Sequence, residues 1–384
     1  MSHHVYITHT TAFLPNDPIN NDEMEHILGQ VGTNPSRARK LILKSNGIHT
    51  RHYAIDPVTG EATHNCAELA AQAIQQLFQQ GVNPNKVGVL ACGTSNPDQI
   101  MPGHGVMVHG LLPQTPAYEV VSMAGVCVAG MAAMKYAHYA ILAGAHHQAI
   151  ACAAENASAM MRARGFQGEI KSLATQSIRP EIAFEKDFLR WMLSDGAGAV
   201  HLSDTPSTNQ ISLKIHWIEL VSYANEMPAC MYAGGEYVGH TFTGWKEFSQ
   251  HTLLSKSILS VKQDVKLLND NIIAYALEKA LTGCLKKHPM KADDIDYFLP
   301  HYSSQFFREK VAVGLSNMGF EIPFHKWFTN LPMKGNTGSA SIYIMLDEFM
   351  HTHSLSAGQK ILCFIPESGR FSSSFMLLEV VNGD

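Results

Sequence analysis

The sequence predicts an α/β fold of covered sheets, assembled from two halves that repeat one order of elements. Three observations carry this. Short apolar runs of the kind that form buried strands alternate with longer helical patterns along the chain. The order helix, polar turn, strand, then a polar residue at the strand end occurs once in each half. The 384 residues, 46% of them hydrophobic, supply an ample core.

In the first half, HNCAELAAQAIQQLFQQG (64–81) is an amphipathic helix, stopped by Gly81 and followed by NPNK. VGVLACGT (87–94) is a buried strand, HGVMVHGLL (104–112) a short helix, and AYEVVSM (117–123) a second strand. CVAGMAAMKYAHYAILAG (127–144) is a helix, small and apolar nearly all round and therefore buried. QAIACAAE (148–155) is a strand. Residues 156–190 carry mixed charge and read as an irregular surface excursion, lid-like in character. WMLSDGAGAVHLSD (191–204) gives a turn of small residues and a strand, and the polar DTPSTNQ that follows marks a boundary between halves 1–205 and 206–384. The second half runs IIAYALEKALTGCLKKH (272–288) as helix, a KADD turn, YFLPH (297–301) as strand, and SQFFREKVAVGLSNMGF (304–320) as helix. GNTGSASIYIMLDEFMHT (335–352) is a glycine turn opening a helix, and ILCFIPES (361–368) and SFMLLEVV (374–381) close as strands.

Composition removes several classes of function. A net charge of −5 gives no global reason to expect nucleic acid. One basic run, SRARKLILKSNGIHTRHY (36–53), holds Arg37, Arg39, Lys40, Lys44 and Arg51. It suits either a solvated helix face or an anionic partner such as a phosphate-bearing cofactor or an acidic carrier. Seven widely spaced cysteines without a CxxC argue against a disulfide framework and a structural zinc site. The 21 histidines include close pairs but no HExxH, so no metal is expected. No stretch of about 18 uninterrupted apolar residues occurs, so no membrane insertion is expected. The N-terminus lacks the pattern of a secretory leader, which leaves the cytoplasm as the expected location.

Three polar residues stand at strand or turn ends: Cys127 in SMAGVCVAGM, His301 in PHYSSQFF and Asn336 in KGNTGSAS. Taken singly, each has an ordinary structural reading: core thiol, strand-end histidine, turn residue or helix cap. Taken together they suit one chemistry. A cysteine at a helix N-terminus has its thiolate favoured by the dipole and by free N–H groups. Such a thiolate takes an acyl group from a thioester. A neutral histidine and an asparagine amide then donate to an enolate-like oxygen.

The order of these motifs resembles the β-ketoacyl-ACP synthase III branch of the thiolase superfamily over nearly the whole length. GIHTRHY (47–53) is similar to that family's N-terminal GIxxR motif, and ACGTSNPDQIMPG (91–103) to its strand-plus-loop segment. VSMAGVCVAG resembles its nucleophile turn, LSDGAGAVHL its DGAGA segment, PHYSSQ its His motif and KGNTGSASI its Asn motif. The resemblance implies a thiolase-like five-layered αβαβα fold of two similar halves, as a homodimer. It implies Cys127 as the acyl-accepting nucleophile, with His301 and Asn336 activating the second substrate. The backbone N–H groups of Cys127 and Gly369, in ESGRF, would form the oxyanion hole. Met101 stands where the family has a bulky residue that reaches the partner's acyl pocket.

Departures from the family pattern are equally specific. HYSS replaces HQAN, so Ser304 takes the place of the asparagine that helps hold the pantetheine. Phe306 stands where an arginine is expected, with Arg308 nearby. Leu41 and Ser45 fall about where an aromatic–arginine pair is usual, and ESGRF replaces a GGGF glycine run. The implied reaction loads an acyl group on Cys127 from a coenzyme A or carrier-protein thioester, with no bound cofactor. A Claisen-type condensation with a malonyl or β-ketoacyl thioester follows. The departures favour a specialised lipid or polyketide route, of the dialkylresorcinol kind, over fatty-acid initiation. Two other readings remain: transfer to form an ester or amide, and a degenerate partner subunit of another ketosynthase.

Overall fold

The structure, a computed structural model, describes residues 4–32, 35–176, 182, 184–208 and 210–383. Nine strands form one sheet: β1 (Val5–Phe13), β2 (Val89–Thr94), β3 (Glu119–Ala124), β4 (Gln148–Glu155), β5 (Gly196–Ser203), β6 (Ser212–Ser222), β7 (Tyr297–Pro300), β8 (Lys360–Glu367) and β9 (Ser372–Val381). Their order across the sheet is β7-β8-β9-β6-β1-β5-β4-β2-β3. The helices that matter here are α1 (Cys66–Gln79), α2 (His104–Gly110), α3 (Ala129–Leu142), α4 (Gln167–Thr175), α5 (Phe184–Arg190), α6 (Val265–Ile272), α7 (Ala280–Lys287), α8 (Arg308–Asn317) and α9 (Ser341–Thr352). A π-helical stretch, Ile273–Lys279, joins α6 to α7.

The repeat expected from the sequence is visible in the pairing. In one part of the sheet β2 and β4 are parallel, β4 and β5 antiparallel, and β5 and β1 antiparallel. In the other, β7 and β8 are parallel, β8 and β9 antiparallel, and β9 and β6 antiparallel. The strands β1 and β6 join the parts. A parallel bridge from Phe298 to Trp327 stands where β3 flanks β2 in the first half.

Apolar side chains fill three levels around this sheet. The face of α1 packs on one side through Leu69, Ile74 and Leu77 against Leu90, Ile150 and Ala199. The middle level holds α3 and α9, with Met131, Met134, Tyr343 and Leu346 between strand residues of both halves. On the far side Leu277, Leu281, Val311 and Leu315 cover Phe298, Leu362 and Phe375. The result is the five-layered α–β–α–β–α arrangement, with α3 and α9 at its centre. Their close approach needs glycine: a Cβ on Gly130 would stand 2.3 Å from Ser339 O, and the Tyr343 hydroxyl donates to Gly130 O at 2.7 Å. Local signals are satisfied too, as in the capping box in which Asn65 and Glu68 open α1.

The 156–190 segment differs from its reading as irregular surface. It contains α4, α5 and two shorter turns, Ser158–Met161 and Ala163–Phe166; residues 177–181 and 183 lie outside the described residues. Several of its charges face inward, among them Glu169, Lys186, Asp187 and Arg190, while Arg164, Lys171 and Glu185 are exposed. Lys186 donates to Glu169 and to Lys256 O, at 2.6 and 2.7 Å, and Arg190 donates to Met161 O and Gly29 O. Among the described residues no helix is long and apolar enough to cross a membrane.

Candidate active site

Each half sends a turn into the start of a central helix. The chain leaves β3, turns through Gly125–Val128 and enters α3, which places Cys127 at the turn. In the second half Asn336 precedes α9 on a glycine-rich turn. Gly335 adopts φ +71°, and a Cβ there would lie 2.8 Å from Ser194 Cβ and 3.0 Å from Arg51 Cβ, so only glycine fits. The Asn336 turn is tied to the DGAGA segment: Asn336 N–H donates to Met192 O, and Ser194 N–H donates to Asn336 O. The GI motif lies beneath, with Arg51 buried and donating to Trp191 O and to Asn21 Oδ1. His301 directly follows β7, its N–H bonded to Phe364 O.

Cys127 stands where two cavities meet. The larger, about 830 Å³ including its open mouth, is lined by Cys127, Asn336, Ser303, Ser368 and a largely apolar set that includes Met160, Met161, Leu189, Leu193, Met231 and Val261. The narrower, about 440 Å³, is lined by Cys127, His301, Ser303, Ser368, Leu268, Ile272, Phe307 and Val311. Of the sequence-predicted trio, Cys127 lines both cavities, Asn336 the larger and His301 the narrower.

The three side chains have distinct electrostatic states. Burial lowers His301 to a pKa of about 4, so its imidazole is neutral near pH 7 and retains one N–H to donate. Asn336 Oδ1 accepts from Gly338 N–H at 3.0 Å, which leaves its NH₂ as the group turned to the cavity. Cys127 corrects the expectation of a favoured thiolate. Burial raises its pKa well above the ordinary thiol value, and the Glu367 and Glu155 carboxylates raise it further. The helix-start donors are spent: Val126 and Val128 N–H both donate to Glu367 Oε2, at 3.0 and 3.2 Å. Only the Cys127 N–H works the other way, on its own sulfur.

The remaining predicted residues fall in different places. Gly369 lies against the nucleophile turn, since a Cβ on it would be 2.8 Å from Val126 Cγ2. Its carbonyl accepts from Cys230 and Met231 N–H, and its own N–H makes no hydrogen bond among the described residues. Ser304 does not reach either cavity. Its hydroxyl accepts from Phe306 N–H as the cap of a short turn and lies 3.5 Å from Ser45 O; Ser303 takes the cavity position instead. Met101 is 78% exposed and absent from both cavity linings of this chain. The basic run is partly consumed internally, since Arg51 is buried and Arg39 pairs with Glu25 at 2.6 Å.

Two residues that sequence reasoning missed hold the site together, and they are related by the repeat. Glu155 is the last residue of β4 and Glu367 the last of β8. Each binds the turn before the central helix of the other half. Glu155 accepts from Ser339 N–H and Oγ and from Ser95 N–H and Oγ, at 2.5 to 3.1 Å. Glu367 accepts from Val126 and Val128 as above. The signal was in the sequence, since ACAAE and CFIPE both end an apolar strand on glutamate, where an exposed end would be the ordinary reading.

Comparisons with known proteins bear on the fold. Residues 285–368 match the family described as 3-oxoacyl-(acyl-carrier-protein) synthase III, C terminal. A β-ketoacyl-(acyl-carrier-protein) synthase III of Streptococcus pyogenes is 22% identical over 360 residues, covering 93% of each chain. Among solved structures, a tetronic acid condensing enzyme superposes with a TM-score of 0.73 at 19% identity, over 98% of this chain and 99% of that one. Xanthomonas campestris OleA, solved with bound lauric acid and lauroyl-CoA, superposes with a TM-score of 0.72 at 18% identity, over 99% and 100%. The chain shares the fold of these solved structures, and residues 285–368 carry its similarity to the 3-oxoacyl-(acyl-carrier-protein) synthase III family.

Proposed function

We propose that the protein is a condensing acyltransferase that uses thioesters of coenzyme A or of a carrier-protein phosphopantetheine, with no bound cofactor. The observation that carries this is the position of Cys127 at the junction of two cavities, one bordered by Asn336 and the other by His301. In the first stage the Cys127 sulfur attacks the thioester carbonyl. The new S–C bond forms, the donor's S–C bond breaks, and the thiol proton leaves with the departing sulfur. Neutral His301 opens on the same cleft and can carry that proton. The Cys127 and Gly369 N–H groups supply donors for the oxyanion.

In the second stage a malonyl thioester that loses CO2, or a β-ketoacyl thioester that loses its α-proton, provides a carbon nucleophile as its enolate. Its enolate oxygen accepts from the His301 ring N–H and the Asn336 NH₂, and the new C–C bond releases Cys127. The larger cavity takes the first acyl chain, because its walls are mostly apolar. Ala157, Met160, Met161 and Leu189, from the 156–190 segment, help form those walls. That contribution, with Ser304 turned away from the cavities, favours a specialised chain over acetyl and supports the dialkylresorcinol-type reading.

The test is to measure acylation and carbon–carbon bond formation separately. Cys127→Ala should abolish both. Asn336→Ala should still form the acyl-enzyme but lose condensation by roughly 10²–10³-fold, whereas His301→Ala should slow acylation as well as condensation. Full condensation in Asn336→Ala would instead favour ester or amide formation, which has less need of an enolate-stabilising amide.

A further inference from the structure

Cys127 shares the meeting point of the two cavities with two hydroxyls. Among the described residues, Cys127, Ser303 and Ser368 line both spaces. The Ser368 hydroxyl is turned to Met231 Sδ at 3.6 Å. The Ser303 hydroxyl has no hydrogen-bond partner among the described residues. It is not walled off either. Ser303 is only partly buried, and its Oγ is not one of the sealed, unpartnered polar atoms of the interior. An open hydroxyl on the wall of both cavities is a donor available to a bound substrate. Ser303 follows His301 by two residues on the chain leaving β7, and HYSS carries this hydroxyl where HQAN has alanine.

The two carbon nucleophiles differ in what they ask of such a site. A malonyl thioester brings a carboxylate, which is costly to bury without a cation. Among the described residues no lysine or arginine lines either cavity, and the Glu155 carboxyl lines the larger one. A β-ketoacyl thioester brings no charge but two carbonyls. Its enolate spreads one negative charge over both oxygens, so it gains from donors in two places. His301 and Asn336 serve one oxygen in the reaction proposed above, which leaves the second for another donor.

We propose that Ser303 is a further catalytic residue, its hydroxyl donating to the β-oxygen of a β-ketoacyl thioester, and that this class rather than malonyl is the second substrate. This rests on the reading of Cys127 as acyl acceptor. The α-carbon bonds to the acyl carbonyl carbon, the S–C bond to Cys127 breaks, and the proton given up by the α-carbon ends on the Cys127 sulfur. No carbon dioxide is released and no co-reactant is needed. The thiol suits its surroundings, because burial and the two carboxylates favour protonated Cys127.

The experiment starts from wild-type enzyme preloaded with a plain acyl group on Cys127. Malonyl-pantetheine and a β-ketoacyl-pantetheine are then added separately, and carbon–carbon bond formation is timed. The β-ketoacyl donor should react at least about tenfold faster. Ser303→Ala, which deletes one oxygen, should slow that donor roughly tenfold and malonyl far less, so the ratio between donors falls toward one. A ratio does not depend on how much of the variant is folded. A wild type that uses malonyl as fast, or a ratio unchanged in Ser303→Ala, overturns the proposal. If preloading succeeds and neither donor condenses, the proposal falls while Cys127 stands as acyl acceptor. No acyl-enzyme from any donor overturns both readings.

Discussion

Two carboxylates stand beside Cys127, and both oppose its ionisation. The thiol therefore needs its proton removed during acyl transfer rather than before it. Alkylation of Cys127 by iodoacetamide should keep accelerating with pH beyond about 9, the ordinary thiol range. Glu367→Gln keeps an acceptor for Val126 and Val128 but removes the charge, so it should move the curve to lower pH. A rate that levels off near pH 7 would contradict the environment described. His301 titrates in the opposite sense. Its pKa of about 4 lies below the ordinary histidine value of 6.5, so the folded state keeps the ring neutral, with a single N–H, across the neutral range. Its contribution to stability is complete above the ordinary histidine range and is lost as pH falls toward the folded value. Condensation from a preloaded acyl-enzyme should show no limb centred on pH 6.5 assignable to His301; such a limb, absent in His301→Ala, would contradict neutral His301.

Glu155 and Glu367 give the central helices a shared fastening at the level of elements. Each ends a strand in one half and satisfies N–H groups at the turn before the other half's helix. Glu155→Ala would leave the N–H and hydroxyl donors of Ser95 and Ser339 without their acceptor. It should cost about 3 kcal/mol or more in denaturant unfolding. An unchanged midpoint would show that the fastening does little. At this scale the sequence was legible where periodicity and burial agree. The amphipathic pattern of 64–81 became α1, and the all-apolar pattern of 127–144 became α3 between two sheet faces. It misled where charge suggests solvent. Lys186, Asp187 and Arg190 looked like an exposed excursion, yet each is buried and bonded inside. The positions of Cys127, His301 and Asn336, the trio proposed as catalytic, were legible because strand-end and turn positions recur with the repeat. Gln263 and Met231, which line the larger cavity, were not, because only a short cross-strand pairing brings them there.

Over the whole molecule, one sheet edge is left open. The outer strand β3 is exposed at Glu119, Ser122 and Ala124. The chain around it presents Ile100, Met101, Val106, Met107 and Leu111 to solvent. An open edge beside clustered apolar side chains suits a second copy of the chain, and it is where Met101 would reach a partner. Light scattering should report a dimer, and Val106→Glu with Met107→Glu should weaken it by at least about tenfold. A monomer with full condensing activity would remove the need for that interface.

The central claim is that Cys127 accepts an acyl group. Intact-protein mass spectrometry after incubation with acyl and β-ketoacyl thioesters tests it most directly, with Cys127→Ala alongside. A mass gain equal to one acyl group in the wild type and none in the variant is the predicted result. The same gain in both proteins, or in neither, would contradict it.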